Sequence, residues 1–157
     1  MTRLTLTLCT SCMHVVSLEA IDYYARAIME QLQRSGVDVA MQRSEDCVTL
    51  VRHLERQPDH SIDLLTVDVN IGVRHAGVNT SLPADLLRMS LNRFEGLDIL
   101  LREWSLLARK ARQVVVVSKV SKADIDEECY QRGTVLPCPY VHKRNLADLA
   151  DPVFGSK

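Results

Sequence analysis

Ile62-Asp-Leu-Leu-Thr-Val-Asp68-Val-Asn70 is a short apolar run that ends in an acid. Leu, Val and Ile without strict polar alternation mark a strand buried on both faces, as in a parallel sheet. An acid at the carboxyl end of such a strand stands where open α/β sheets place their chemistry. Asp68 is therefore the first candidate functional residue.

Working outward, each flank alternates helix and strand signals. Upstream, Cys47, Leu50, Val51 and Leu54 form a helix face that Ser44 is placed to cap and Pro58 to end. Before it, Val37 to Met41 reads as a short strand. Ile21, Tyr24, Ala25, Ile28, Met29 and Leu32 form an earlier helix face, with Gly36 as its stop. Two runs compete for the first core strand: Leu4 to Cys9, and Met13 to Leu18.

Downstream, residues 71–95 read as a loop with a short helix opening at Ser81 and Pro83. Leu97, Leu100, Leu101, Trp104, Leu107, Ala108 and Ala111 predict one long helix. Gln113 to Ser118 is a β-branched run and the best buried-strand signal in the chain. Ser121 is placed to cap a helix over 122–132, which Gly133 stops. Thr134 to His142 holds a last strand broken by Pro137 and Pro139. Asn145 to Ala150 offers barely two helical turns before Pro152. Five alternations predict a five-stranded parallel, doubly wound sheet in the flavodoxin-like order 2-1-3-4-5.

The chain of 157 residues reads as one domain, with 1–12 as an extra lead-in or strand and 71–95 as an insertion. Apolar residues make up 46% and charged residues 25%. Lys plus Arg (19) and Asp plus Glu (20) nearly cancel, which argues against direct binding to nucleic acid or an anionic membrane. There is no secretory pattern and no apolar stretch of membrane-spanning length. Five cysteines without an export signal read as reduced thiols in a cytoplasmic protein.

Asp68, Ser118 and Lys143 each fall at the end of a successive core strand. Strand ends on one edge of a parallel sheet converge, so an acid, a hydroxyl and an ammonium would meet in one crevice. That set suits phosphoryl chemistry on a carboxylate. The acid is the nucleophile, and the other two stabilise phosphoryl oxygens. A divalent cation, Mg²⁺ by preference, would bridge acid and phosphate.

On these residues the chain resembles the receiver domain of bacterial response regulators, over roughly residues 13–150. Leu64-Leu-Thr-Val-Asp68-Val-Asn70 is similar to the phosphoacceptor strand. Val114-Val-Val-Val-Ser118 is similar to the fourth strand with its switch hydroxyl. Tyr140-Val-His-Lys143 is similar to the fifth, with the switch aromatic three residues before the essential lysine. Glu95-Gly96 resembles the acidic-Gly pair that opens the third helix. The resemblance implies metal ligands at Glu19, Asp68 and Asn70, with Asp22 as a water-bridged substitute. Glu19 and Ala20 fall where the family has two adjacent acids. This register makes Met13 to Leu18 the first core strand, because the following helix then fits without an insertion.

Other departures point to an atypical receiver or a pseudo-receiver. About twenty residues are added after Asp68, an unusual loop for a compact domain. Arg144 stands where a Pro is usual, so no cis peptide is expected there. The last helix is short.

The resemblance implies a two-component signalling module, not an enzyme. A histidine kinase or phosphotransfer protein would donate phosphate to Asp68. Ser118 and Tyr140 would then shift a surface read by a downstream protein partner, with homodimerisation left open. The alternatives are an interaction domain that is not phosphorylated, and a thiol or metal protein. Cys9-Thr-Ser-Cys12, followed by His14, is the Cys-x-x-Cys spacing of zinc and dithiol sites, but it lacks a second ligand pair.

Overall fold

The structure is a computed structural model that describes residues 12–71 and 94–154. A five-stranded sheet has the order β2-β1-β3-β4-β5, and every neighbouring pair is parallel. The strands are β1 (Cys12–Leu18), β2 (Asp38–Ser44), β3 (Ile62–Val67), β4 (Ala111–Ser118) and β5 (Tyr140–His142). This is the doubly wound, flavodoxin-like arrangement expected from the alternating pattern. The central strand β3 is buried almost throughout, as its unbroken apolar run requires. Edge strand β2 alternates exposed and half-buried residues until Ser44.

Between the strands lie α1 (Asp22–Gln33), α2 (Cys47–Arg56), α3 (Glu95–Arg102), α4 (Trp104–Lys110) and α5 (Lys122–Gln131). A 3₁₀ helix (Lys143–Leu149) leads into α6 (Ala150–Phe154). Ile28 and Leu32 of α1 pack with Leu149 against Val15, Leu64, Val115 and Val117 on one face. Leu50 and Leu54 of α2, Leu97 and Leu100 of α3, Leu107 of α4 and Ile125 of α5 cover the other.

Met13 to Leu18 lies within the first core strand. The competing run Leu4 to Cys9 and the helix expected at Ser81 and Pro83 lie outside the described residues. Five local expectations are corrected. Ser44 does not cap α2: it closes β2, where its carbonyl accepts from the Glu19 amide at 2.9 Å. Asp46 is the cap, its carboxylate accepting from the Thr49 amide at 2.8 Å. The long helix is two, because Glu103 leaves helical geometry at φ −107 and ψ 23. The apolar stripe runs on across that break, so side-chain period alone did not reveal it. Ala111 belongs to β4, paired with Ile62. The last strand is only three residues long. Pro137 and Pro139 lack the amides a ladder needs, although the Pro139 carbonyl still accepts from Val116 at 2.9 Å. Pro152 does not end the terminal helix but sits in the first turn of α6, where no amide is missed.

Candidate functional site

The loops after β1, β3 and β5 bring Glu19, Asp68 and Lys143 into contact. Parallel register aligns these ends: Leu18 pairs with Val67, and Ser118 with His142. The Asp68 amide continues the ladder to the Leu18 carbonyl at 3.0 Å. Asp68 is therefore fixed by backbone one residue past its strand.

Lys143 Nζ lies 2.8 Å from Asp68 Oδ2 and 2.8 Å from Glu19 Oε1. All three side chains are buried, at 4% exposure for Lys143, 6% for Asp68 and 1% for Glu19. Glu19 Oε2 accepts from the Ile21 amide at 3.1 Å, and Asp68 Oδ1 accepts from the Asn70 amide at 3.1 Å. Burial, followed by the charge of Asp68, pushes the Glu19 carboxyl above its ordinary range, against the pull of Lys143. Among the described residues two carboxylates thus share one ammonium, which leaves a negative charge over in a largely buried crevice.

Ser118 is fully buried at the end of β4, and its Oγ accepts from the Val120 amide at 3.2 Å. The Tyr140 hydroxyl donates to the Val120 carbonyl at 2.7 Å. Ser118 and Tyr140 are therefore joined through one peptide segment, a link that no motif spacing reveals. Burial raises the Tyr140 phenol.

Two further features frame the crevice. Gly96, which opens α3, donates its amide to the Val69 carbonyl at 2.7 Å. A Cβ at Gly96 would stand 1.9 Å from the Asp68 carbonyl oxygen, so α3 can approach the acid's backbone only with glycine there. Arg43 Nη1 donates to the carbonyls of Glu19 at 3.1 Å and Ala20 at 3.3 Å, fixing the turn that carries Glu19. The first of these was legible as an acidic-Gly pair, but nothing local marked Arg43.

Asp22 does not join the group. Its carboxylate meets Arg26 at 2.6 Å and Arg43 at 3.6 Å, and it is half exposed. Among the described residues no three His, Cys, Asp or Glu side chains gather as a metal cluster. The residues that could hold a divalent cation are the adjoining Glu19 and Asp68, with Asn70 beside them, completed by water. That sparse donor set suits Mg²⁺, which usually keeps several waters and takes one or two carboxylates. The surplus negative charge favours such an ion.

Cys9 lies outside the described residues, and Cys12 is an exposed free thiol at the opposite edge of the sheet. The His14 ring is engaged elsewhere, with Nδ1 3.1 Å from the Ser61 carbonyl. Burial pushes the Cys47 and Cys138 thiols up to about 12, which keeps them protonated and poor ligands.

Sheet order and strand-end crevice are those of the flavodoxin-like arrangement that receiver domains share. No family model matches the sequence, and no curated protein matches it either. Solved structures do. A phosphorylated cyanobacterial phytochrome response regulator, RcpA, superposes with a TM-score of 0.57 at 16% identity, over 92% of this chain and 96% of that one. The Mn²⁺-bound form of response regulator Rcp1 gives 0.56 at 16%, over 88% and 92%. A response regulator from Burkholderia pseudomallei, solved with a phosphorylated aspartic acid, calcium ion and citrate, gives 0.56 at 13%, over 90% of this chain and 66% of that one. At these identities the likeness speaks for the fold. Among the described residues no helix is long and apolar enough to cross a membrane.

Proposed function

We propose that the chain is a phosphate-accepting signalling module whose acceptor is Asp68. The observation that carries this reading is Lys143, buried and bridging Glu19 and Asp68 at 2.8 Å each. A buried ammonium between two carboxylates is costly as a stabilising device. It has a ready use if one carboxylate is to receive a phosphoryl group.

The chemistry follows from the contacts. An Asp68 oxygen attacks the phosphorus of a phosphohistidine or acyl phosphate. The new P–O bond forms as the bond to the leaving imidazole or carboxylate breaks, and the leaving group takes the bond's electrons. Lys143 exchanges its carboxylate contact for a phosphoryl oxygen, and the Ser118 hydroxyl donates to another. Mg²⁺ held by Glu19, Asp68 and Asn70 would neutralise phosphoryl charge. As Ser118 turns, it gives up the Val120 amide. The Val120 carbonyl is the Tyr140 partner, so that aromatic repacks and a two-state surface shifts.

The module is then a switch and not an enzyme with turnover. Its donor is a histidine kinase or phosphotransfer protein, and its output is a changed affinity for a protein partner in the cytoplasm. The test is intact mass after incubation with acetyl phosphate and Mg²⁺. Wild type is expected to gain a phosphate adduct, and Asp68→Ala none. Absence of an adduct on folded wild type would leave an interaction domain that is not phosphorylated.

A further inference from the structure

Tyr24 is the crevice side chain to which the phosphoacceptor reading gives no part. It sits in the first turn of α1, half-buried. The Lys143 ammonium lies 4.1 Å from its ring centroid, and the Lys119 ammonium lies 4.7 Å from the same centroid. Tyr23, 71% exposed, meets the ring edge-on with centroids 5.2 Å apart.

An ammonium carries three donors. Lys143 aims at Glu19 and Asp68, and the ring covers a further direction. A cation over an aromatic face is held by the ring quadrupole, most firmly where water is excluded. That condition holds for Lys143. The ring's hold differs in kind from the carboxylate bonds. It has no single acceptor atom, so it survives when the ammonium changes one oxygen partner for another. Lys119 directly follows Ser118, so the same ring also touches the segment that carries the switch hydroxyl.

We propose that Tyr24 is a positioning residue for Lys143. Its ring keeps the ammonium at the crevice while a phosphoryl oxygen replaces a carboxylate oxygen. This inference rests on Asp68 being the acceptor.

The test compares wild type, Tyr24→Phe and Tyr24→Leu by two measurements. The first is the rate of phosphate uptake from acetyl phosphate with Mg²⁺. The second is hydrogen exchange of the Lys143 ammonium protons by NMR, which needs no phosphate. Tyr24→Leu should take up phosphate about tenfold more slowly, the order expected for losing a desolvated cation–π contact. Its Lys143 protons should exchange about tenfold faster for the same reason. Tyr24→Phe keeps the ring face and should match wild type in both. Uptake by Tyr24→Leu at the wild-type rate overturns the inference and leaves the acceptor reading standing. Equal loss in Tyr24→Phe and Tyr24→Leu also overturns it, since the face would then not be the cause. If wild type takes up no phosphate, the acceptor reading fails. The hold on Lys143 is then decided by exchange alone, and equal exchange in wild type and Tyr24→Leu refutes it.

Discussion

Gly96 has no room for a methyl group. Besides the Asp68 oxygen at 1.9 Å, an added Cβ would meet the Val69 Cα at 2.8 Å and the Asp68 carbonyl carbon at 2.9 Å. All three are backbone atoms beside the acceptor and cannot rotate away. Gly96→Ala must therefore move α3 or the Asp68 turn, at a cost of about 3 kcal/mol or more. Gly36 is the useful contrast. Its φ of +90 disfavours a side chain, but among the described residues nothing lies within 4 Å of an added Cβ. Gly36→Ala should cost only about 1 kcal/mol, from backbone strain alone. Urea midpoints of the two variants should separate clearly, and Gly96→Ala alone should also slow phosphate uptake at Asp68. Equal midpoints would mean that the α3 entrance yields easily.

Among the elements, the end of the sheet opposite the crevice holds a buried imidazole nitrogen, that of His53. His53 of α2 lies near enough to His14 of β1 to feel its charge. His53 Nε2 and Ser61 Oγ are buried and meet no hydrogen-bond partner among the described residues. Burial first, then the neighbouring His14 and Arg56, holds the His53 imidazole below its ordinary value of 6.5. The folded state thus binds the proton less readily than the unfolded chain. Stability should be undiminished above pH 6.5, fall as pH drops below it, and level off once the folded-state value is passed. The slope of the urea midpoint between about pH 7 and pH 5 should flatten in His53→Gln, and an unchanged slope would place the titration elsewhere. None of this was visible in the sequence, because His14 comes near His53 only in the folded chain. The strand-end residues were legible for the opposite reason. Asp68, Ser118 and Lys143 each follow an apolar run, and parallel register alone brings such ends to one edge. In the sequence Tyr24 is one more member of an apolar helix face, since period marks a buried side and not what lies across it. The Ser44 cap and the unbroken 97–111 helix failed where a local signal had two readings and tertiary pairing chose the other.

For the whole molecule, near-neutral net charge conceals a local imbalance. The chain carries −1 overall, yet among the described residues Glu19 and Asp68 share only Lys143 within a buried crevice. Low exposure makes that surplus charge more costly than it would be on the surface. The folded state carries the cost, because in the unfolded chain water screens both acids. A divalent cation that binds only the folded form should therefore stabilise the entire domain. The two core clusters share the five-stranded sheet, so a gain at the crevice is felt by the domain as one cooperative unit. At a hundredfold excess over Kd the gain is about 2.7 kcal/mol, or about 5–10 °C in Tm for a domain of this size. Mg²⁺ and Mn²⁺ should each raise Tm. Asp68→Asn and Glu19→Gln remove the surplus charge, and both should lose most of that response while remaining folded. A Ca²⁺ series is the control for geometry, since Ca²⁺ asks for more oxygen ligands than this crevice supplies and should act at higher concentration. If Mg²⁺ shifts wild type and Asp68→Asn alike, the ion is acting elsewhere on the surface. In that event the crevice balances its charge by raising the Glu19 carboxyl and not by binding metal.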